Sequence, residues 1–470
     1  MSMIFDHDEA LKYKTALYDA DGTSMTYGDL ALYEKKIKRV VNARSVVMVI
    51  SDSCLETVSF YYSLLHISAV PLLVSYKADV DYIRYLNETY RPGYVWFPSE
   101  RESEIEDVIS GSSIMKEERH TLYSTKWDSY SIHSDLALLL TTSGSTGNSK
   151  LVRLSYKNLE SNADLTIKAF GIESSDLGIT ILPIHHCYGL NLLHVCWRVG
   201  AGVCLYNETI INPSFSKVIS DLKPTLTYAV PYSLELLKYI DYKAVFSSIK
   251  KLVIAGEKMN DEQAEFVREM SRKYSLKLIL AYGQTEGTTM LSWHDGKKVI
   301  DTRCIGRVLP GLDAHISSPS DDGIGEIVFN GDSAALGYAE DYKDLCRGDD
   351  FGGELFTGDM GFMDNEGYIF ISGRKKRIVK IHGERISLDD IELILHKKWP
   401  ESEFACTGQT DQLDVLYSGK ELKEEDLKNY VYSHAGIYMN MIDVMKLNSI
   451  PRTASGKVAY NELENTVWKS

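Results

Sequence analysis

The chain is expected to be an α/β protein. It should hold a large amino-terminal domain of two successive strand–helix blocks with a β-rich lobe behind them, and a small carboxy-terminal α+β domain. Three observations predict this. Apolar runs alternate with helical stretches in residues 46–98, and the alternation restarts in residues 177–283. After about Lys298 the pattern changes to short runs punctuated by Gly and Asp. The length, 470 residues, exceeds what one core usually organises.

Taken in order, VVMVIS (46–51), AVPLLVS (69–75) and YVWFP (94–98) are short apolar strands, separated by the helix-like CLETVSFYYSLLHIS and ADVDYIRYLNETY. Strand–helix–strand alternation of this kind is the signature of a parallel sheet covered by helices. LALLL (136–140) is a further buried strand. The second block offers LGITILPI, VCLYN, TLTYAV, KLVIAGE and LKLILAYG as strands, with helices such as SFSKVISDLK and DEQAEFVREMSRKY between them. Asn260 is placed to cap the last of these helices. DAHISSP, GEIVFNG, GELFTGDMG and GYIFISG read as the β-rich lobe, and LDDIELILHKKW as a helix of the small domain. Two blocks in succession suggest a pseudo-repeated architecture without repetition at the residue level.

The bulk chemistry excludes some functions. A net charge of -15 disfavours nucleic acid as a partner, because phosphate contacts need clustered Lys and Arg. Nowhere do 18 apolar residues follow one another, so no membrane span is expected. Seven cysteines without a C-x-x-C pair read as reduced, buried thiols, which points to the cytoplasm.

The densest chemistry lies in TTSGSTGNSK, Thr141 to Lys150. Hydroxyls, glycine-permitted backbone N–H groups and one cation suit a polyphosphate. It is not the phosphate loop of kinases and GTPases. The spacing G-x-x-x-x-G-K-S/T fails, because Ser149 stands where glycine is required and Leu151 follows Lys150. Taken alone, such a Ser/Gly cluster is most often a polar surface turn.

Five further segments follow: YGQTE (Tyr282 to Glu286), GEIVFNG…GY (Gly325 to Tyr338), FTGDMG (Phe356 to Gly361), GRKKRIVKIHGERIS (Gly373 to Ser387) and PRTASGK (Pro451 to Lys457). Each is weak by itself; YGQTE could be an ordinary strand exit and T-G-D a turn. Together, in this order and with SMTYGDL near Tyr27, the chain resembles the adenylate-forming superfamily of acyl-CoA synthetases, peptide-synthetase adenylation domains and firefly luciferase.

The resemblance implies a reaction and assigns residues to it. ATP activates a carboxylic acid to an acyl-adenylate with release of pyrophosphate, and the acyl group then passes to coenzyme A or the phosphopantetheine of a carrier protein. Thr142, Ser143, Gly144, Ser145, Thr146, Gly147 and Lys150 would form a mobile loop over the β- and γ-phosphates. Gly256 and Tyr282, with Gly283 and Gln284 beside it, would adjoin adenine. Thr285 would bond phosphate, and Glu286 would hold Mg²⁺, a hard cation suited to carboxylate oxygen. Asp359 would accept both ribose hydroxyls, with Arg374 reaching the ribose and phosphate. Lys457 would bridge the carboxylate and α-phosphate oxygens as charge develops there. The family's small domain is mobile. The chain would divide into residues 1–374 and 375–470 with a hinge near Lys376, and Lys380 and Gly383 would serve thioester formation after rotation.

His186 in PIHHCYGL matches a histidine at the mouth of the acyl pocket, although a lone histidine on an apolar segment is more often structural. No acidic residue lies between Ile181 and His194, which weighs against an amino-acid substrate because a buried ammonium would go unpaired. The chain departs from the family at Ser149, where proline is usual, and at Tyr156, where many relatives have histidine. Two rivals within the superfamily are an enzyme loading an amino acid such as D-alanine on a carrier and a luciferase-like enzyme using the adenylate differently. A catalytically dead binding module is the rival from another class.

Overall fold

The computed structural model describes residues 9–141, 150–296, 301–381, 384–452 and 458–467. Among the described residues, packing divides the chain into two compact units, residues 9–141, 150–314 and 329–355 in the first, and 315–328 and 356–467 in the second.

The first unit contains both α/β blocks. In the first block the strands Leu136–Thr141, Val70–Ser75, Val46–Ser51 and Tyr94–Pro98 lie side by side and parallel. Nearly every residue of these four strands is buried, which explains why they read as continuous apolar runs rather than alternating ones. Antiparallel strands finish both edges: Leu151–Ser155 and Gly337–Ala339 on one side, His120–Thr125 and Gly111–Lys116 on the other.

In the second block the parallel order is Lys277–Gly283, Lys251–Ile254, Leu226–Ala229, Leu177–Ile179, Gly202–Leu205 and Thr15–Asp19. The LGITILPI run keeps strand geometry for Leu177–Ile179 only. Beyond it the chain turns at Pro183, whose carbonyl accepts from the His186 N–H at 3.2 Å. The helix Asp261–Tyr274 starts where expected. Asn260 accepts from the Gln263 N–H at 2.8 Å, and the Gln263 side chain accepts from the Asn260 N–H at 3.0 Å.

The second unit is β-rich at its start. Strands Gly325–Asn330, Glu354–Met363 and Ile369–Arg374 are neighbours in one sheet. The hairpin Ile378–Ile381 with Glu384–Ser387 follows. Beyond it lie a three-stranded sheet (Ser402–Gln409, Gln412–Gly419, Ile442–Lys446) and the helices Leu388–Lys398, Glu424–Ala435 and Tyr460–Val467. Leu395, Phe404, Val415, Leu427 and Val431 form the centre of its core.

Candidate active site

The Ser/Thr/Gly loop joins two antiparallel strands, with Thr141 paired to Leu151 across its base. A strand follows Lys150 where a phosphate loop of the kinase type would start a helix, which agrees with the failed motif. Residues Thr142, Ser143, Gly144, Ser145, Thr146 and Gly147 lie outside the described residues. Lys150 is about half exposed and pairs with Glu340 at 2.5 Å. An exposed pair of this kind contributes about 0–1 kcal/mol.

Strand Lys277–Gly283 carries Tyr282 at its carboxyl end, the edge of an open α/β sheet where ligands bind. Its antiparallel partner slips register between Tyr282 and Gly283. A Cβ at Gly283 would lie 1.5 Å from the Thr289 carbonyl oxygen, so only glycine permits this approach. The bulge turns the chain into the short 3₁₀ turn Thr285–Gly287. Thr288 closes it at φ +64°, a left-handed conformation costly for a β-branched residue. Surrounding bonds hold it there: the Thr288 hydroxyl donates to the Ser333 carbonyl at 2.7 Å.

Glu286 is fixed at both ends. Its carbonyl accepts from the Ala335 N–H at 2.8 Å, and its Oε1 accepts from the Tyr338 hydroxyl at 2.8 Å. Behind the turn stands Asn162, fully buried on the helix Tyr156–Phe170. Its Nδ2 donates to the Met290 carbonyl at 2.7 Å and to Ser333 Oγ at 3.1 Å, and its Oδ1 accepts from Asn191 at 3.2 Å. Asn191 in turn accepts from the Tyr228 hydroxyl at 3.1 Å.

Thr285 lies against Cys187, its hydroxyl 3.4 Å from Cys187 Sγ, and the Thr289 hydroxyl donates to the Cys187 carbonyl at 3.1 Å. The fold therefore brings Thr285 beside the residue that follows His186. His186 is the N-cap residue of the helix Cys187–Arg198, and its ring lies 4.3 Å from that of His185. Burial, then the neighbouring His186, pushes His185 down to about 3, so that imidazole is neutral. The half-buried Tyr282 ring lies 6.1 Å from Phe329 at an interplanar angle of 24°. Gly256 follows the strand Lys251–Ile254 at φ +94°.

In the second unit Asp359 and Arg374 face one another across antiparallel strands, with Arg374 Nε 3.6 Å from Asp359 Oδ1. The carboxylate is mostly buried, 13% exposed, whereas the arginine is 66% exposed. Glu326 organises both strands. Its Oε1 accepts from the Gly358 N–H at 3.0 Å, and its Oε2 accepts from Lys375 at 2.7 Å. The Thr357 hydroxyl donates to the Ile327 carbonyl at 2.7 Å and accepts from the Asp359 N–H at 3.1 Å. Lys380 is exposed on the strand Ile378–Ile381, opposite Arg385. Lys457 and Gly383 lie outside the described residues.

Residues 5–339 match the AMP-binding enzyme family, well over half of the chain. The chain belongs to that family. Among proteins similar to this AMP-binding enzyme is a 4-coumarate–CoA ligase of Humulus lupulus, 27% identical over 350 residues. That match covers 69% of the chain and 63% of the hop protein, so it spans less than two thirds of that relative. A 2-succinylbenzoate–CoA ligase of Lactococcus lactis is 22% identical over 440 residues, covering 90% of the chain and 91% of that protein. Two solved structures show the same fold. ATP-bound MatB from Rhodopseudomonas palustris has a TM-score of 0.78 at 20% identity, covering 98% and 97% of the two chains. The o-succinylbenzoate CoA synthetase of Bacillus subtilis, bound to its acyl-adenylate, has a TM-score of 0.78 at 20% identity, covering 96% and 95%.

Sequence motifs did not reveal Asn162, and they assigned no role to Cys187 or Glu326, which lie inside PIHHCYGL and GEIVFNG. Asn162 sits in a helix without any motif around it, and Glu326 is one acid in an apolar strand. Tyr338 closes a motif quoted above, yet its bond to Glu286 emerges only in three dimensions.

Proposed function

We propose that this AMP-binding enzyme joins a non-amino carboxylic acid to a thiol, using ATP and Mg²⁺ and forming an acyl-adenylate with release of pyrophosphate. Support comes above all from Glu286, a carboxylate held by Tyr338 at the end of a sheet strand, next to the Thr285 hydroxyl. These hard oxygen donors fit Mg²⁺, which when bound would neutralise phosphate charge. Glu286 would hold the ion and Thr285 would bond phosphate. Tyr282, Gly283 and Gln284, with Gly256, would border the adenine. The Thr142–Gly147 segment and Lys150 would cover the outer phosphates, and Asp359 with Arg374 would hold the ribose.

Lys457 would stabilise the first half-reaction. The small domain, residues 375–470, would turn at Lys376 and bring Lys380 and Gly383 to the second. Coenzyme A is the favoured thiol, because the similar proteins named above include CoA ligases, and carrier phosphopantetheine is the alternative. The His185–Cys187 segment would form the mouth of an acyl pocket without an acid for an ammonium. All seven cysteines are free thiols, which supports a reducing compartment such as the cytoplasm. No helix among the described residues is long and apolar enough to cross a membrane.

ATP–pyrophosphate exchange with a panel of aryl, fatty, dicarboxylic and amino acids tests the reading. Exchange with a plain carboxylic acid is expected. Exchange confined to D-alanine or glycine would establish the amino-acid alternative instead, and none with any acid would refute the activity.

A further inference from the structure

A second cluster of chemically capable side chains lies in the first block and shares no residue with the adenylate-forming set. The chain leaves the parallel strand Val46–Ser51 through Asp52, Ser53 and Cys54 and enters the helix Leu55–His66. His120 begins the strand His120–Thr125, which lies beyond Tyr94–Pro98 in the same sheet. One atom each of Asp52, Cys54 and His120 lie within 4.8 Å of one another. Asp52 Oδ1 is the centre of the group, 3.2 Å from His120 Nε2 and 3.2 Å from Cys54 Sγ. His120 and Cys54 are buried, at 1% and 3% exposed.

We propose that Asp52, Cys54 and His120 bind a thiophilic divalent cation of the zinc class, with Glu56 orienting the histidine from behind. Four features point to it. The first is the direction of the electron pairs. His120 Nδ1 lies 2.6 Å from Glu56 Oε2, which holds a proton on Nδ1 and turns Nε2 inwards, where a cation would take the place of its imidazolium proton. Nε2 faces Asp52 Oδ1 and Thr57 Oγ1, the latter at 3.1 Å. Thr57 gives its proton to Asp52 at 2.7 Å and accepts from Trp96 at 3.3 Å, so neither neighbour donates to Nε2. A cation at this point satisfies the nitrogen, the carboxylate and the sulfur together.

The second is spacing. Bonds of about 2.0–2.3 Å in a tetrahedron separate ligand atoms by roughly 3.3–3.6 Å, close to the two 3.2 Å separations here. The third is the outer partner. A carboxylate on the far nitrogen of a metal-ligating histidine sets its tautomer and raises its basicity, and Glu56 occupies that position. The fourth is the cysteine itself. Cys54 is the N-cap residue of its helix, yet its side chain makes no capping hydrogen bond, where Ser, Thr, Asp or Asn would. Its sulfur is turned to Asp52 instead.

Binding balances in charge. The cation displaces the thiol proton of Cys54 and the proton that Nε2 carries in the imidazolium form, so two positive charges replace two. The metal-free alternative is an imidazolium clamped between Asp52 and Glu56.

The full chain, stripped with a chelator, is titrated with Co²⁺ and then Zn²⁺. One equivalent of Co²⁺ is expected to give a thiolate-to-cobalt charge-transfer band that Zn²⁺ abolishes. The band should be absent in Cys54→Ser, and Glu56→Gln should weaken Co²⁺ binding by ~10–100-fold. Zn²⁺ should raise the thermal midpoint of the wild type and leave that of Cys54→Ser unmoved. No band in the wild type at millimolar Co²⁺ overturns the proposal and establishes the imidazolium clamp. A band that survives Cys54→Ser overturns it in favour of another thiol. Unchanged affinity in Glu56→Gln, a near-isosteric change, overturns the assigned role of Glu56 even where Cys54→Ser folds poorly.

Discussion

Replacing Asp359 by alanine separates a binding role from a structural one, because the structure predicts opposite sizes for the two effects. The contact of Asp359 with Arg374 is loose, 3.6 Å, and the arginine is 66% exposed. A pair of this kind contributes about 0–1 kcal/mol to stability. The backbone of the turn has hydrogen bonds of its own. Glu326 holds the Gly358 N–H, and Thr357 holds the Asp359 N–H. Loss of the Arg374 pair alone should therefore shift thermal unfolding by only a few degrees. If the carboxylate accepts both ribose hydroxyls, the variant loses two charge-assisted hydrogen bonds of about 1.5–3 kcal/mol each. Together these amount to roughly 3–6 kcal/mol, or ~10²–10⁴ in kcat/KM for ATP. The assay is pyrophosphate exchange with ATP and with 2′-deoxy-ATP, alongside a thermal melt. The wild type should discriminate strongly between the nucleotides, and Asp359→Ala should lose most of that discrimination. Retained discrimination, or a melt that collapses in step with activity, would refute the assignment.

Three further outcomes follow from the same geometry. Asn162→Ala removes the donors to Met290 and Ser333 and leaves Asn191 without its acceptor, all in the core, so chemical denaturation should show a loss of about 3–6 kcal/mol. Glu286→Gln keeps an oxygen for the Tyr338 hydroxyl but removes the charge. It should raise the Mg²⁺ concentration needed for half-maximal exchange at least ~10-fold with an unchanged melt, and an unchanged Mg²⁺ dependence would remove Glu286 from the metal site. Lys457→Ala should lower adenylation by ~10²–10³ yet still transfer acyl groups from supplied acyl-AMP. Lys380→Ala should do the reverse, and single-turnover measurement of each half-reaction tells them apart.

The sequence by itself determined what depends on local chemistry. Runs such as VVMVIS and LALLL are apolar throughout because both faces of their strands are covered, and they could be placed without coordinates. The Asn260 cap was legible for the same reason. A cap, a bulge or a tight turn is decided by a few consecutive residues. The ordered motifs likewise carried the family, since each is a short stretch whose chemistry is local.

Other features were decided only by tertiary structure. LGITILPI is apolar along its length, but Pro183 and the packing of Gly189 against the Pro183 carbonyl turn the chain away after Ile179. Asn162 and Glu326 look like any polar residue in a helix or strand. Their roles arise because Met290 and Ser333, or Gly358 and Lys375, arrive from distant parts of the chain. Asp52, Cys54 and His120 share no motif, and more than sixty residues separate Cys54 from His120. Only the close lateral packing of parallel and antiparallel strands, with helix starts above their ends, makes neighbours of groups that the linear order keeps apart.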